Sequence, residues 1–361
     1  MSSQDPLEEE FVVWPKGSIQ YLIKKVATGQ KLSKDLTEDE AYEMLKKILG
    51  GEATPAQTGA FFAAMRMKGE SGGELAGLTR AVWEHSERAG PGLPFSLDIG
   101  YPYDGKLRTD LFIVGAVFVA AGAGVPVALH GSRNVPPKRG RTPEELLEGL
   151  GLPVHLKSKE AAQSLRTSAF GYFACKNYNR ALAKLLELPA EIGVRPALAA
   201  VHKLANPARA KTTILGITHP PYLASMSQAM VKLGMTGWVV KGLEGTMEFS
   251  LSHATTVIRI QNGLCETLEI DPRAYRLPLI EDDSWAQSSL EENAGKTEGA
   301  LRNVPSPFRD MVLWNGAFLI FASGKCSSVE ESLKVAEETM ASRAALKALE
   351  KAKRVARFHF F

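Results

Sequence analysis

Residues 98–110, DIGYPYDGKLRTD, combine a strand-like apolar run with a turn that has a glycine at each end. Such a turn can cradle a phosphate, because glycines let backbone amides approach the anion without side chains in the way. In this turn, however, Tyr101 and Tyr103 add bulk, and Pro102 removes an amide donor. The sequence therefore predicts a turn at a phosphate-loop position that does not adopt the usual phosphate-binding conformation.

Two interpretations of the turn remain open. Four of its side chains could form a stacking and charge-pairing surface for a base, a sugar or a phosphodiester, namely Tyr101, Tyr103, Lys106 and Arg108. A packed and solvated turn without a ligand is the alternative. Asp104 is interpreted as a turn-stabilising residue before Gly105 rather than as a base.

The composition is that of an ordinary globular protein. Of the 361 residues, 45% are hydrophobic and 23% are charged, which suffices for two domains with a sizeable core. The net charge of +3 is too small to require a nucleic-acid partner by itself. No apolar run reaches the length of a membrane span, and the acidic amino-terminal residues are unlike a signal peptide, so we expect a soluble protein.

Cysteine usage favours a reducing compartment. Cys175, Cys265 and Cys326 are scattered, with no CxxC pair and no histidine at ligand spacing. This pattern supports neither a disulfide framework nor a zinc site. We therefore expect a cytoplasmic protein.

Two sequence textures divide the chain. From Ile19 to about Ala89 apolar residues recur at helical spacing, after helix-start signals such as Thr54 followed by Pro55. Beyond a Pro/Gly-rich segment, short apolar strands alternate with helical stretches, which is typical of a largely parallel sheet covered by helices. The sequence thus predicts an α/β protein with a small all-helical domain at 1–92 and a larger α/β domain at 93–361.

Two later segments carry simpler expectations. Residues 281–310 are polar, which predicts a surface excursion. The segment from Ser328 to the carboxyl end is acidic first and basic last, which predicts one long helix whose charges suit its dipole.

Several stretches occur in the order, and at about the spacing, of the anthranilate phosphoribosyltransferase family: GGEATPAQTGAFFAAMRMKGES, GVPVALHGSR, EIGVR, LANPA and VVKGLEG. The chain resembles this family over most of its length. The resemblance implies a helical domain and an α/β domain that close over phosphoribosyl pyrophosphate, and a homodimer formed through the helical domains. Because one fold can host many functions, the resemblance implies the fold more firmly than the chemistry.

The phosphate contacts of the family are altered in this chain. The family's pyrophosphate loop, GTGGDG, corresponds to GYPYDG here, which retains Gly100, Asp104 and Gly105. The family's Asn-Ile-Ser-Thr turn at a helix start corresponds to Asp-Leu-Phe-Ile at 110–113, so its hydroxyls are lost. The carboxylate of Asp110 would also repel an anion.

The magnesium site implied by the resemblance is weakened. The family's Asp-Glu pair falls in GLEGTME, where Glu244 and Glu248 are retained and Met247 replaces the aspartate. A thioether is a poor ligand for a hard cation. A Mg²⁺ site at Glu244 and Glu248 would thus lack one of the family's protein ligands. The alternative is that the two carboxylates hydrogen-bond to loops of the protein and bind no metal.

Other positions of the family's site are partly retained. The resemblance implies ligand contacts from His130, Gly131, Arg133, Lys138, Arg195 and Asn206. For His130 and Arg133, strand-end residues satisfied by their neighbours are the alternative. The arginine that clamps the acceptor in the family falls near Pro189, so anthranilate has no evident clamp. No catalytic residue is assigned.

Two functions are therefore considered. The first is a divergent family member that binds a phosphate- or ribose-bearing ligand in the interdomain cleft and transfers a glycosyl or phosphoribosyl group to an acceptor other than anthranilate. The rival is a non-catalytic nucleic-acid binder, since His219-Pro220-Pro221-Tyr222 resembles the HPEY-type segment of a branch that binds DNA without sequence preference. Six cations near one groove would serve the rival: Lys138, Arg139, Arg141, Lys203, Arg209 and Lys211. A degenerate enzyme acting only as a regulatory subunit is a third possibility.

Overall fold

The computed structural model describes residues 13–29, 31–90, 92–101, 104–280 and 286–357. It confirms the predicted fold class, with an amino-terminal helical region and a larger α/β region around a mostly parallel sheet. The helical region ends at Glu84 and the first strand begins at Leu97. The domain boundary expected at 92/93 falls in this connection and stays a prediction.

Four helices form the amino-terminal region: α1 (Ile19–Ala27), α2 (Glu38–Leu49), α3 (Pro55–Lys68) and α4 (Gly72–Glu84). The residue before each helix is a serine or threonine whose side chain accepts a hydrogen bond from a first-turn amide. These caps satisfy amides that have no partner inside the helix.

Seven strands form one sheet: β1 (Leu97–Gly100), β2 (Val127–Gly131), β3 (Phe170–Ala174), β4 (Thr212–Gly216), β5 (Thr236–Val240), β6 (Thr255–Gln261) and β7 (Leu264–Ile270). Their order is β3-β2-β1-β4-β5-β6-β7. The first five are parallel, whereas β6 and β7 are added antiparallel. The parallel strands therefore define a carboxyl edge, where all five end, and an amino edge, where all five begin.

Helices cover both faces of the sheet. The α/β region contains α5 (Ile113–Gly122), α6 (Pro143–Gly149), α7 (Ser158–Ser168), α8 (Cys175–Tyr178), α9 (Arg180–Leu185), α10 (Leu188–Ile192), α11 (Leu198–Lys203), α12 (Pro221–Lys232), α13 (Leu290–Leu301), α14 (Pro307–Ala322), α15 (Val329–Ala341) and α16 (Ala344–Arg357). Two short 3₁₀ helices lie at Leu243–Gly245 and Pro272–Tyr275. The hydrophobic helix α5 is buried along its whole length between the sheet and α14.

Two expectations about the carboxyl-terminal third are wrong. Residues 281–310 are not only a surface excursion, because α13 lies within them and buries Asn293 and Thr297. The last segment is two helices rather than one, with a break at Ser342 and Arg343, where Arg343 has a φ of +59°. A left-handed residue cannot continue a right-handed helix, so α16 starts a new axis.

The helical region packs directly onto the α/β region. Helix α4 lies against α12, and one continuous hydrophobic core contains Leu75 and Leu78 of α4 together with Met226 and Met230 of α12. A cleft therefore forms where α3 faces the carboxyl edge of the sheet. None of the helices in the described ranges is long and apolar enough to cross a membrane.

Candidate functional site

Two loops meet at the carboxyl edge of the sheet. The amide of Gly140, in the loop after β2, donates to the carbonyl of Asp104, in the loop after β1, at 2.9 Å. Lys106 and Arg141 form an isolated antiparallel bridge beside this contact. Gly105 has a φ of +76°, and a Cβ there would lie 2.4 Å from the Gly140 carbonyl oxygen. Gly105 is thus required by the close approach of two backbones within the protein.

Asp104 gathers two of the predicted ligand residues. Its carboxylate is nearly buried, accepts a hydrogen bond from the Arg195 guanidinium, and lies 3.8 Å from the Lys138 ammonium. Arg195 also keeps a buried Nε that has no acceptor among the described residues. The structure therefore brings Asp104, Lys138 and Arg195 together, with more positive than negative charge.

Lys106 and Glu248 form a fully buried ion pair. The Lys106 ammonium lies 2.5 Å from Oε2 of Glu248 and donates to the Asp110 carbonyl at 2.7 Å. The other oxygen, Oε1, accepts from the amides of Phe112 and Ile113 at 2.8 and 2.7 Å. These amides lie at the start of α5, where backbone N–H groups point out of the helix, a position that ordinarily attracts anions. Here the anion is supplied by the chain itself.

Glu244 has a similar structural task. Its carboxylate accepts from the amides of Leu107, Arg108 and Thr109 at 2.8–3.2 Å and from the Thr109 hydroxyl. Burial raises the pKa of Glu244, but these hydrogen bonds outweigh burial and hold its pKa below the ordinary value. The Arg108 side chain is 78% exposed and only approaches Glu244, at 3.7 Å. Arg108 thus remains available at the rim.

The residues at this place do not fit a magnesium ion. The thioether of Met247 is buried, and both glutamates direct their oxygens at protein donors. No group of three or more His, Cys, Asp or Glu side chains in the described ranges could hold a metal. Because Lys106 already supplies a positive charge to Glu248, the alternative of loop-bonding carboxylates describes Glu244 and Glu248 better than metal ligation.

The predicted stacking surface of the β1 turn does not form from Tyr101 and Lys106. Tyr101 is 1% exposed and Lys106 is fully buried. Burial raises the pKa of the Tyr101 hydroxyl well above its usual value, and carboxylates of Glu248 and Glu244 add to this. Tyr103 lies outside the described residues. Gly100 is held by contact with α11, because a Cβ there would lie 2.3 Å from the Lys203 carbonyl oxygen.

His130 belongs to a buried polar cluster rather than to an open ligand site. Its Nε2 lies 3.4 Å from Oδ2 of Asp98 on the neighbouring strand, and its ring meets that of His202 edge-on at 5.7 Å. Neither His130 nor His202 is exposed, and burial lowers the pKa of His202 to about 3, so that its ring is neutral. Neither ring nitrogen of His130 has a hydrogen-bond partner among the described residues, so burial argues against an open ligand site, and the interpretation of a strand-end residue satisfied by its neighbours stays a prediction.

Arg133 also contacts its own domain. Its guanidinium donates to Glu144 and Glu148 of α6 at 2.9 and 2.8 Å. The hydrogen bond to Glu148 is the main reason why the pKa of Arg133 is raised. Gly131 ends β2 opposite Ala174, and a ligand contact from it stays a prediction.

The six cations predicted near one groove lie at two different edges of the sheet. Four belong to the carboxyl edge, and three of these contact protein acceptors other than Asp104. Arg139 donates to the Asn134 carbonyl and pairs with Glu187. Arg141 donates to the Ser288 carbonyl, and Lys203 donates to the Gly216 carbonyl. Arg209 and Lys211 instead lie in the turn before β4, at the amino edge. The expectation of a single groove is therefore wrong.

Asn206 also lies at the amino edge rather than at the carboxyl edge. Its side chain holds the turn before β4, accepting from the Ala210 amide at 2.8 Å and donating to the Ala210 carbonyl at 3.1 Å. It also approaches the Thr213 hydroxyl at 3.4 Å. Asn206 therefore has a turn-stabilising role and does not contact a ligand at the carboxyl edge.

A cavity of about 90 Å³ lies in the cleft between α3 and the carboxyl edge. Its polar lining comes from both regions, with Arg66 and Glu70 on one side and Arg195, Lys203, His219 and Tyr222 on the other. The Tyr222 hydroxyl accepts from Arg66 and donates to Glu70 at 3.1 Å, which ties the two regions together. Burial raises the pKa of Tyr222 to about 12, so its hydroxyl keeps its proton.

Lys203 gives the cleft its most perturbed cation. The pKa of its ammonium is lowered to about 8. Burial is the main cause; Asp104 opposes the shift, and Arg195 and Lys138 contribute to it. The sequence patterns place Lys203 only among nucleic-acid cations and miss Arg66 and Glu70. These two follow the helical texture of the amino-terminal region, and no local pattern marks them as part of a site.

Comparison with known proteins agrees with this geometry at the level of family and fold. Residues 112–346 match the α/β domain of the glycosyl transferase family, and residues 20–86 match its helical bundle domain. The anthranilate phosphoribosyltransferase of Thermomicrobium roseum is 32% identical over 344 residues, which cover 92% of this chain and 95% of that protein. That of Moorella thermoacetica is 32% identical over 325 residues, covering 90% and 94%.

Solved structures give the same answer. The anthranilate phosphoribosyltransferase of Thermus thermophilus superposes with a TM-score of 0.83 at 29% identity, covering 93% of this chain and 99% of that chain. The Saccharomyces cerevisiae enzyme in complex with PRPP and Mg superposes with a TM-score of 0.79 at 20% identity, covering 94% and 98%. The latter likeness concerns the fold alone.

Proposed function

Because this chain belongs to the anthranilate phosphoribosyltransferase family, we propose that its interdomain cleft binds a phosphate- or ribose-bearing ligand and that it transfers the sugar to an acceptor other than anthranilate. The ligand's anionic group lies against Arg195, Lys138 and Lys203. This binding does not depend on magnesium.

The charge balance around Asp104 is the observation that carries the proposal. Arg195 and Lys138 approach one carboxylate, Lys203 interacts with it electrostatically, and Arg195 keeps a buried Nε–H without an acceptor among the described residues. The lowered pKa of Lys203 reflects mainly burial; Asp104 opposes it, and Arg195 and Lys138 contribute to it. An anionic ligand would relieve the repulsion among the three cations and accept a hydrogen bond from the Arg195 Nε–H.

The start of α5 supports the magnesium-independent form of binding. Glu248 accepts hydrogen bonds from the amides of Phe112 and Ile113 there, and Lys106 neutralises it. A phosphate at this helix start would have to displace a carboxylate that is buried and paired. The anionic group of the ligand therefore binds one loop away, at the Asp104 cluster.

The acceptor side of the cleft supports a substrate other than anthranilate. Pro189, at the position of the family's acceptor arginine, is buried in α10 and offers no charged group to a carboxylate. The cavity instead presents Glu70, His219 and Tyr222, and Arg66 on its helical side already donates to the Tyr222 hydroxyl. Burial raises the pKa of Glu70, and this favours a neutral acceptor that can donate hydrogen bonds.

Calorimetric titration with phosphoribosyl pyrophosphate tests the proposal, once with magnesium and once with a chelator. We expect equal affinity in both conditions and a loss of about tenfold or more in Arg195→Gln, since a charge-assisted hydrogen bond is removed. Lys159→Gln, an exposed charge change on α7, is the matched control. Binding that requires magnesium would overturn the metal-independent form, and no binding in either condition would overturn the ligand class.

We further propose that the protein forms a homodimer through its helical region. Three exposed apolar residues, Val13, Trp14 and Leu32, surround a surface groove beside α1. Burying them against a second copy would remove apolar surface from water. The double variant Trp14→Ser/Leu32→Ser should halve the mass measured by light scattering, while Leu264→Ser, an exposed change on β7, should not. An unchanged mass in the double variant would contradict this interface.

A further inference from the structure

A second concave site lies at the amino edge of the sheet, far from the cleft. It is a groove of about 420 Å³, within the usual range for small-ligand sites. Its walls come from the end of α4, the turn before β4 and the turn before β5. Arg88, Arg209 and Lys211 line it, and none of its described lining residues is acidic.

Arg88 is a positioned cation rather than a mobile surface arginine. Its guanidinium lies over the ring of Trp83 at 4.4 Å, and its Nε donates to the Asn206 carbonyl at 3.2 Å. Trp83 is itself fixed by a hydrogen bond from its indole to the Leu204 carbonyl at 3.1 Å. Burial lowers the pKa of Arg88 to about 10, and the neighbouring Arg209 contributes, while the more distant Asp98 opposes them.

Arg209 and Lys211 are held beside Arg88 by the backbone of the turn. Arg209 has a φ of +48°, a left-handed conformation that is strained for an L-residue. The Lys211 amide is anchored to the Ser96 hydroxyl at 3.1 Å, while its side chain remains exposed. Within the described ranges neither side chain, nor that of Arg88, contacts a carboxylate within ion-pair distance. Three like charges thus converge on one groove without a carboxylate to pair with.

From this convergence we propose that the amino-edge groove, formed by Trp83, Arg88, Arg209 and Lys211, binds a phosphate group. The phosphate belongs either to a free nucleotide or to the backbone of a single-stranded nucleic acid. Arginine supplies paired donors for phosphate oxygens and lysine supplies a point charge. Because the cleft cations lie at the opposite edge of the sheet, this site is independent of the cleft ligand.

The test titrates the full-length protein with adenosine 5′-monophosphate and, separately, with a decathymidylate strand at low ionic strength. The variant Arg209→Gln/Lys211→Gln removes two charges, and glutamine keeps the backbone strain of Arg209 unchanged. We expect its affinity for the bound probe to fall by about tenfold or more. The matched control, Lys159→Gln/Arg180→Gln, removes two exposed charges on α7 and α9 and should change affinity less than about twofold.

The two arms distinguish the sources of phosphate. Loss of mononucleotide binding in the groove variant would support a free nucleotide. Loss of strand binding alone would support a nucleic-acid backbone, and its logarithmic salt slope should drop by about 0.7 for each phosphate that the variant no longer binds. Both titrations are repeated in an Arg195→Gln background, where binding of the same probe in the cleft is weakened, so that a loss caused by the groove variant is assigned to the amino edge. If neither probe binds, or if the groove variant binds both as the unaltered protein does, the proposal is overturned.

Discussion

At the carboxyl edge of the sheet Lys106, Arg139 and Arg195 each contact a carboxylate, whereas at the amino edge Arg88 and Lys211 contact none within the described ranges. Both edges are rich in cations, and a count of charges from the sequence does not separate them. The difference lies in what the fold places opposite each cation.

Pairing changes what a cation can do. The Lys106 ammonium is fully buried and closes a hydrogen-bond network that ends at the first amides of α5, so its charge positions a loop. At the amino edge Arg209 and Lys211 are exposed and stay solvated until an anion replaces water, whereas Arg88 is half-buried. Arg195 and Lys203 are intermediate, since Arg195 shares the Asp104 carboxylate with Lys138 and Lys203 donates to the Gly216 carbonyl. The comparison therefore predicts structural effects at Lys106 and binding effects at the other places.

The largest effect is expected from Lys106→Met. Removing the ammonium leaves the buried Glu248 carboxylate without a counter-charge, and breaking one side of such a pair costs about 3–5 kcal/mol in the free energy of unfolding. Urea unfolding measures this loss. The double variant Lys106→Met/Glu248→Gln should be less destabilised than the single variant, because no buried charge then remains.

Arg133→Met is the matched control for this prediction. The Arg133 side chain is 34% exposed, its partner Glu148 lies near solvent, and the buried Glu144 keeps a hydrogen bond from the Tyr172 hydroxyl, so the loss of Arg133 should cost less than the loss of Lys106. If Lys106→Met unfolds at the same urea concentration as this control, the buried pair does not hold the β1 loop on α5.

The pH dependence of binding should separate the two edges. Lys203 has an ordinary pKa near 10.5, and the fold lowers it to about 8, so its charge is present below pH 8 and lost above it. Affinity of the cleft for phosphoribosyl pyrophosphate should therefore fall by about tenfold between pH 7 and pH 9. Calorimetric titrations at several pH values measure it.

Two measurements should show no such pH dependence: phosphoribosyl pyrophosphate binding by Lys203→Arg, and nucleotide binding in the amino-edge groove. An arginine at this position stays charged, so the variant should show no fall between pH 7 and pH 9. Arg88 has a pKa of about 10 and also stays charged in this range, which makes nucleotide binding at the amino edge flat. A cleft affinity that is equally flat would show that Lys203 does not contact the anion.

Sequence patterns could predict the fold because the elements have local signals. Strands of β-branched and aliphatic residues, capped helices and a serial set of family stretches were enough for the helical region and the parallel sheet. Segments whose local signal is weak were missed. The polar composition of 281–310 predicts a surface loop and gives no sign of helix α13, although Ser289 and Glu292 form a capping box at its start.

The candidate site could be predicted only in part, because its contacts join residues far apart in sequence. Lys106 and Glu248 were both singled out, yet nothing in the sequence says that one neutralises the other. The sequence and the family resemblance predict that the segments 138–141 and 203–211 both lie beside the cleft, yet strand β4 separates Lys203 from Lys211 by its full length. Whether a charge is paired is decided by the tertiary structure.

The smallest expected effect tests whether the strained backbone of Arg209 lowers the stability of the protein while its side chain binds an anion. Arg209 and Arg343 both adopt positive φ, at +48° and +59°. Glycine adopts this conformation without the Cβ conflict, so each Arg→Gly change should raise the free energy of unfolding by up to about 1 kcal/mol. Only Arg209→Gly should also weaken nucleotide binding, because Arg343 lies between α15 and α16, away from the groove. Thermal unfolding and calorimetry on the two variants measure both quantities. Equal nucleotide affinity in the two variants would mean that the strained arginine is not retained for an anion.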